Sequence, residues 1–282
     1  MHRGASNGAR GTRSVGRAAD VRRSVSAALA LVAVLALAAC GDDSSDSTDT
    51  AGASGDGATP QLVVSAASSM TEALEKCSPE FEGADVKLSF AGSDELAAQI
   101  RQGVKPDVFA SANTKLPDAL YDEDLLEKPV EFVSNTLVGA VPADSDIDSV
   151  DQFAEPGTTL AIGSESVPIG SYTREVLARL PGDSGEQMLA NVRSNEPDVK
   201  GIVGKLAQGA ADGGFVYASD VQAASDRLKE LPLPGEVQPS VVYAAGVVKG
   251  AEQPELAQRY VQGLVDGACY DALIAGGFGA LK

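Results

Sequence analysis

The sequence predicts an α/β protein with two doubly wound lobes joined by crossover strands. Strand and helix patterns alternate along residues 61–282, as in folds built from repeated strand–helix units. A long apolar run at residues 135–141 has no helix signal beside it, which is typical of a strand that crosses between lobes. The predicted boundaries are 61–138 for the first lobe, 139–235 for the second, and 236–282 for the return to the first.

Residues 1–39 have the pattern of a signal peptide. Six arginines precede an apolar segment, residues 25–39, that is too short for a convincing membrane span. The segment ends in Leu37-Ala38-Ala39-Cys40-Gly41, which resembles a bacterial lipobox and predicts that Cys40 becomes the lipidated first residue of the mature protein. The alternative is a plain secretory signal with a chance cysteine. Arg22-Arg23 is a candidate twin-arginine pair.

The mature chain is predicted to be strongly acidic. After Cys40, residues 41–60 are rich in Gly, Asp, Ser and Thr and contain no basic residue, which predicts a disordered acidic tether. Without the six arginines and one aspartate of the signal, 16 basic and 39 acidic residues remain, a formal charge of −23. Such a surface disfavours nucleic acid and anionic lipid as partners. The only histidine, His2, lies in the signal, so the mature chain has none for a catalytic triad or a zinc site.

Two cysteines remain in the mature chain, Cys77 and Cys269. An even number of cysteines in an exported protein favours a disulfide, which would join the first helix of the folded region to the last. The alternative is two buried thiols on apolar helix faces.

Three strand–turn–helix units are predicted in the first lobe. Their strands fall at residues 62–64, 86–90 and 106–111. The first two helices are predicted from apolar stripes, which are Met70, Ala73, Leu74, Cys77 and Phe81 in one and Leu96, Ala97 and Ile100 in the other. The third helix is predicted at residues 115–121.

The second lobe repeats the pattern with less regular spacing. Strands are predicted at residues 160–163 and 214–217, and helices at residues 171–180 and after Asp198, a good N-cap. A proline-rich segment then leads back to the first lobe. That return is predicted to contain a strand at residues 241–248 and one closing helix at residues 254–275.

The turns between strands and helices carry the candidate site. In doubly wound sheets, ligands bind at the carboxyl ends of strands, where helix N-termini offer free N–H groups to an anion. The turns at residues 65–71, 92–95, 164–170 and 215–220 are rich in small and hydroxyl residues and contain no Arg or Lys. This composition favours a fully deprotonated tetrahedral dianion held by neutral donors. For Ser69 alone, an ordinary helix N-cap is the alternative.

Seven short motifs, in order between residues 61 and 281, make the sequence similar to the molybdate-binding proteins of bacterial ABC importers. The motifs are Ala66-Ala67-Ser68-Ser69-Met70-Thr71, Phe90-Ala91-Gly92-Ser93, Pro106-Asp107-Val108-Phe109-Ala110-Ser111-Ala112, Asn135-Thr136-Leu137-Val138, Ser166-Val167-Pro168-Ile169-Gly170-Ser171-Tyr172, Asp198-Val199-Lys200-Gly201 and Val216-Tyr217-Ala218-Ser219-Asp220. The resemblance implies the type II periplasmic-binding-protein architecture.

The resemblance also implies a ligand set. Ser69 and Ser93 would each give a hydroxyl and a backbone N–H, Ile169 and Val199 would give backbone N–H groups, and Tyr217 would give its phenol. For Tyr217 the alternative is a buried aromatic residue of a strand, whose hydroxyl binds whichever polar group lies nearby.

The ligand would be molybdate or tungstate, bound as cargo with no cofactor. It would bridge the two lobes of a monomer, which closes like a hinged clamp and delivers it to a membrane permease and its ATPase. The protein would be lipid-anchored at the outer face of the cell membrane.

Three departures from the family pattern lie near these positions. Ile169 stands where Ala is common, Ser164 stands where Pro is common, and the carboxylates of Asp94 and Glu95 follow Ser93 directly. We expect both carboxylates to face solvent, because they would otherwise repel an oxyanion. Lys200 is expected to be a surface residue.

Three other functions share some of these sequence features. A sulfate-binding protein, or one for another tetrahedral oxyanion, would share the same features. An exported serine hydrolase using Ser68 or Ser69 lacks a histidine base, a Ser-x-x-Lys motif and a Gly-x-Ser-x-Gly motif. A receptor for an organic solute would usually have aromatic walls, and the chain has no tryptophan.

Overall fold

The computed structural model describes residues 59–281, which contain ten strands and nine α-helices. The predicted signal peptide, the lipidation site Cys40 and the tether up to residue 58 lie outside the described residues. Among the described helices, none is both long enough and apolar enough to cross a membrane.

The strands form two five-stranded sheets, ordered β2-β1-β3-β10-β4 and β7-β6-β8-β5-β9. Their bounds are β1 Gln61–Ala67, β2 Asp85–Ala91, β3 Val108–Ser111, β4 Val130–Asn135, β5 Leu137–Pro142, β6 Leu160–Gly163, β7 Val192–Glu196, β8 Gly213–Tyr217, β9 Leu228–Leu231 and β10 Val241–Val247. In each sheet three parallel strands are followed by one antiparallel strand, β10 in the first and β5 in the second. The inner parallel strands β3, β6 and β8 are buried along their whole length, as expected for sheets covered on both faces.

Helices cover the sheets, and six of the nine in the described residues follow the carboxyl end of a parallel strand. Their bounds are α1 Thr71–Cys77, α2 Ser93–Arg101, α3 Lys115–Asp122, α4 Pro168–Arg179, α5 Ser184–Asn191, α6 Val199–Ala207, α7 Ala218–Ala223, α8 Pro254–Asp266 and α9 Ala268–Ala275. A 3-10 turn, Ser68–Met70, lies between β1 and α1. The disulfide Cys77–Cys269 joins α1 to α9.

The chain crosses between the sheets at two places. The predicted single strand at residues 135–141 is wrong, because the apolar run contains the end of β4 in the first sheet and most of β5 in the second. The backbone changes sheets at Thr136, whose N–H binds Asn135 Oδ1 and whose carbonyl accepts from Ala218 N. Leu137 and Val138, which we assigned to the first lobe, therefore pair with Tyr217 and Val216 in the second sheet. The second crossing lies between β9 and β10.

Two predicted helices have different bounds in the structure. The helix expected at residues 171–180 begins three residues earlier, because Pro168 occupies its first turn, where no N–H is needed. The single closing helix expected at residues 254–275 is two helices, α8 and α9. They are separated at Gly267, whose backbone is extended at φ −117° and ψ −165°.

Candidate functional site

A small cavity lies between the carboxyl edges of the two sheets. Its empty volume is about 200 Å³, less than half that of three other clefts described in residues 59–281. All five predicted ligand positions line it, together with small neighbours such as Ala67, Ser68, Ala91, Gly92 and Ala112; the five are Ser69, Ser93, Ile169, Val199 and Tyr217. The fold therefore brings the five predicted positions together at one place.

The first lobe supplies two buried serine hydroxyls. Ser69 lies in the 3-10 turn after β1, and its Oγ is 2.9 Å from the hydroxyl oxygen of Tyr243, a buried residue of β10. Ser93 is the first residue of α2, and its Oγ accepts a hydrogen bond from Ala112 N at 3.1 Å. Because a serine oxygen that accepts still has its own proton to donate, Ser93 is set up as a donor toward the cavity.

Helix starts add backbone donors from both lobes. Neither α2 nor α4 has a side-chain cap at its N-terminus. The first helical bonds there are Leu96 N to Gly92 O and Ser171 N to Val167 O, at 3.1 and 3.0 Å. The N–H groups before them, including that of Ile169, have no partner within the helix and are available to an anion.

At the start of α6, a side-chain cap occupies one of the free backbone N–H groups. Asp198 Oδ1 accepts from Gly201 N at 2.9 Å, as its predicted N-cap role requires. Asp198 is the only charged residue that lines the cavity, and this bond directs its carboxylate at the helix backbone. Val199, the first residue of α6, keeps an N–H that the helix itself does not use.

Tyr217 contributes the one side-chain hydroxyl of the second lobe. It ends β8, is 1% exposed, and its Oη has no hydrogen-bond partner among the described residues. Burial raises the pKa of Tyr217 well above its usual value, so the phenol stays neutral and keeps its proton. A buried hydroxyl without a partner is costly, and a ligand acceptor in the cavity would satisfy it.

The cavity has no positively charged side chain in its lining. No Lys or Arg lines it, and no group of three or more acidic, histidine or cysteine residues in the described chain could hold a metal ion. Lys200 lies on α6, but its ammonium group is held by Glu72 at 2.7 Å and Asp220 at 3.1 Å. Neutral donors fixed by the fold are suited to a small oxyanion that presents only acceptors.

Two side chains that we expected on the surface instead join the lobes. Asp94 is half-buried, and its Oδ2 accepts from Ser166 Oγ of the second lobe at 2.5 Å. The expectation that it faces solvent is wrong, because Ser166 lies over the first turn of α2; Glu95 is exposed as expected. Lys200, also expected to be a surface residue, makes the ion pair to Glu72 across the cleft, since α6 belongs to the second lobe and α1 to the first.

Residues 62–279 match the model of a family described as bacterial extracellular solute-binding proteins. The molybdate-binding protein ModA of Mycobacterium tuberculosis is 34% identical over 208 residues, which are 71% of this chain and 77% of that protein. The substrate-binding domain of a putative molybdenum ABC transporter from Clostridium difficile is 27% identical. Its structure superimposes with a TM-score of 0.61 over 79% of this chain and 99% of that one.

A second solved structure, the periplasmic molybdate-binding protein of Azotobacter vinelandii, has a TM-score of 0.70 over 78% of this chain and 100% of that one. Its sequence identity is 22%, so this likeness concerns the fold alone. Together with the two observed sheets, these likenesses confirm the predicted two-lobed α/β architecture.

Proposed function

This chain belongs to the bacterial extracellular solute-binding protein family, and from that premise we propose that it captures molybdate between its lobes and delivers it to an ABC importer. The observation that carries the proposal is the convergence of Ser69, Ser93, Ile169, Val199 and Tyr217 on one small cavity without a cation. The M. tuberculosis relative supports the choice of ligand, since it is a molybdate-binding protein. Membership of a solute-binding family agrees with the prediction that the chain is not an enzyme.

The donor set selects for the ionisation state of the ligand. Two serine hydroxyls, one phenol and the backbone N–H groups of helix starts all offer protons, and the one acidic residue at the cavity is engaged in a helix cap. A dianion with four bare oxygens satisfies these donors. An anion that carries its own proton would place a donor against a donor.

Tungstate is the second ligand that we propose. It presents the same charge and the same tetrahedral oxygens as molybdate, so the donors described above do not distinguish the two. Sulfate, a smaller anion of the same shape, is the alternative that the titration below separates from both.

The lobes act as a clamp around the ligand. Lys200 to Glu72, Ser166 to Asp94, and Gln222 Nε2 to the Ala275 carbonyl at 2.8 Å each join one lobe to the other. These contacts form only when the lobes approach, and a ligand that touches both lobes favours that closed arrangement. The closed monomer would then dock on a permease driven by an ATPase.

We also propose that the mature protein begins at Cys40 and is held at the outer face of the cell membrane by a lipid. Residues 41–60 would tether the folded part. Replacing Cys40 by Ala should prevent metabolic labelling by a radioactive fatty acid. Labelling that persists in the variant would contradict the lipid anchor.

The ligand proposal is tested by calorimetric titration of the purified chain with molybdate, tungstate, sulfate and phosphate. We expect one-to-one binding of molybdate and tungstate, with little heat from sulfate or phosphate. Tight binding of sulfate in preference to the other three would leave the site in place and overturn the named ligand.

The site proposal is tested by combining Ser69→Ala with Tyr217→Phe. Each substitution removes one hydrogen bond to a charged ligand, worth about 1.5–3 kcal/mol, so the affinity should fall about 100-fold or more. A folded double variant with unchanged affinity would remove both residues from the site.

A further inference from the structure

We infer that Tyr243 is a positioning residue for the anion: its hydroxyl donates to Ser69 Oγ and thereby obliges Ser69 to donate its own proton into the cavity. This inference rests on the proposed function and deepens it. It assigns part of the selectivity for bare over protonated oxyanions to a residue that does not line the cavity.

Tyr243 is held in place from several sides. It lies within β10, is fully buried, and is packed edge-to-face against Phe278, Tyr217 and Phe132, with ring centroids 5.3, 6.0 and 6.2 Å away. Its hydroxyl oxygen lies 2.9 Å from Ser69 Oγ, which is itself buried. A ring packed in this way cannot turn its hydroxyl toward another partner without disturbing the core.

The direction of the hydrogen bond follows from counting protons. Tyr243 and Ser69 have one hydroxyl proton each, and either oxygen can donate in the ligand-free pair. A bare oxyanion offers only acceptors, so Ser69 must donate to it. Ser69 Oγ then accepts from Tyr243, and both protons are satisfied.

The opposite direction leaves a proton without an acceptor. If Ser69 donated to Tyr243, the phenol proton would need another partner. No hydrogen bond joins the phenol to either neighbouring polar side chain: Asn135 binds Thr136 N and Ser219 Oγ, each at 2.9 Å, and Tyr217 Oη has no partner among the described residues. Burial raises the pKa of Tyr243 well above its usual value, so the phenol does not lose its proton instead.

The consequence concerns anions that carry a proton. With Tyr243 donating, Ser69 Oγ already accepts one hydrogen bond and directs its own proton into the cavity, so a ligand hydroxyl at that corner meets a donor. In Tyr243→Phe the Ser69 oxygen loses its donor, and it can accept from a ligand hydroxyl. Removing the phenol oxygen should therefore weaken the binding of a bare oxyanion and favour a protonated one.

The test is a double-mutant cycle with a matched control. The full chain and the variants Tyr243→Phe, Ser69→Ala and their combination are titrated with molybdate and with inorganic phosphate at pH 7.5. Tyr260→Phe is the control, because Tyr260 is also buried and its hydroxyl is 2.7 Å from a serine oxygen, that of Ser78, which does not line the cavity. Thermal unfolding of each variant shows whether it is folded.

We expect Tyr243→Phe to lose about tenfold in molybdate affinity, the size of one hydrogen bond, and to lower the ratio of molybdate to phosphate affinity. In the Ser69→Ala background the same substitution should change neither quantity, because the hydroxyl through which Tyr243 acts is already gone. Tyr260→Phe should bind as the unmodified chain does. A merely structural Tyr243 would lower stability without moving the anion ratio.

Three results would overturn the inference while the proposed function stands: molybdate binding by Tyr243→Phe that equals that of the unmodified chain, equal losses with and without Ser69, or an equal loss in Tyr260→Phe. An unmodified chain that binds no molybdate would overturn the proposed function and the inference together.

Discussion

At the scale of single residues, we expect the hydroxyl of Tyr217 to have opposite effects on stability and on binding. It is buried without a hydrogen-bond partner in the described residues, which is costly in the ligand-free protein. Tyr217→Phe should leave the unfolding temperature of the ligand-free chain unchanged or slightly higher, and should weaken molybdate binding by about tenfold or more. Differential scanning calorimetry and titration calorimetry on the same samples measure the two effects.

Tyr260→Phe is the control for that prediction, and we expect the reverse pattern of stability and affinity for it. Its hydroxyl is paired with Ser78, so removing it leaves the buried serine unsatisfied and should lower the unfolding temperature while affinity stays the same. A Tyr217→Phe variant that is clearly destabilised and binds normally would contradict the placement of the phenol in the ligand site.

Asp220 makes the stability of the protein depend on pH. It is buried on α7, its two carboxylate oxygens have no hydrogen-bond partner among the described residues, and Lys200 Nζ forms an ion pair with Oδ1 at 3.1 Å. Burial raises the pKa of Asp220 from 3.8 to about 6, although the positive charge of Lys200 acts in the opposite direction and Glu72 adds to the rise. The folded state therefore binds this proton more tightly than the unfolded state does.

The sign of the effect follows from that higher pKa. The contribution of Asp220 to stability is fully present below pH 3.8 and is lost as the pH rises through about 6. At about 1.4 kcal/mol per pKa unit, the loss amounts to roughly 3 kcal/mol. Urea unfolding of the unmodified chain and of Asp220→Asn at pH 4, 5.5 and 7 should show their difference in free energy shifting in favour of the variant as pH rises. A difference that is constant with pH would contradict the raised pKa.

At the scale of elements, the start of α2 lies in close contact with the second lobe. A β-carbon on Gly92 would lie 2.5 Å from the carbonyl oxygen of Pro197, which belongs to that lobe, and 2.8 Å from Oδ1 at the end of the Asp94 side chain. The Gly92 backbone, at φ −61° and ψ 138°, is open to any residue. Gly92→Ala should therefore fold normally and fail to close, and its affinity for molybdate should fall about tenfold or more.

Gly204→Ala on α6 is the control for Gly92→Ala. Its β-carbon would find its nearest atom, from Gln208, at 3.9 Å, so the substitution adds helix propensity without a clash. It should raise stability by about 1 kcal/mol and keep the affinity unchanged in titration. Equal affinity losses in both variants would mean that the contact with Pro197 is unimportant.

Local patterns were enough to predict the elements that border the cavity. The strands ending at Ala67 and Tyr217 are mostly apolar, the strand ending at Ala91 alternates apolar and polar residues, and small or hydroxyl residues mark each following turn. The polar segments α5 and β7 were not predicted, because Ser184–Asn191 and Val192–Glu196 show too few apolar residues for either period. The two strands at residues 130–142 were not separated, since they adjoin with only Thr136 between them and its contact to Ala218 is a tertiary one.

The supporting contacts of the site were beyond sequence reasoning for a different reason. Ser69 and Tyr243 are 174 residues apart, and a tyrosine among aliphatic strand residues looks like an ordinary core residue. Asp94 was expected in solvent because a carboxylate that faces the site would repel an oxyanion, and Lys200 was expected on the surface. Their partners, Ser166 and Glu72, lie on the opposite lobe and far away in sequence, so local patterns do not indicate these contacts.

At the scale of the whole molecule, the disulfide stabilises the first lobe and leaves the ligand site intact. It closes a loop of 192 residues, for which the chain-entropy estimate is about 5 kcal/mol. Replacing Cys77 and Cys269 by Ala should lower the unfolding free energy by about 2–5 kcal/mol, measured by urea denaturation. Molybdate affinity below the unfolding transition should be unchanged, since neither cysteine lines the cavity. A large loss of affinity in a folded variant would contradict this separation.

Closure of the whole molecule should determine how long the ligand stays bound. The ion pair from Lys200 to Glu72 spans the cleft, and the Glu72 side chain is half exposed, so its contribution is about 0–1 kcal/mol. Glu72→Gln should therefore release molybdate up to about fivefold faster in stopped-flow displacement by tungstate, while the association rate changes little.

Glu75→Gln, one turn along α1 and without an ion pair among the described residues, is the control and should release at the normal rate. Added salt should reduce the difference between Glu72→Gln and the unmodified chain, because an exposed pair is screened. Equal release rates at low salt would mean that the ligand alone holds the lobes together.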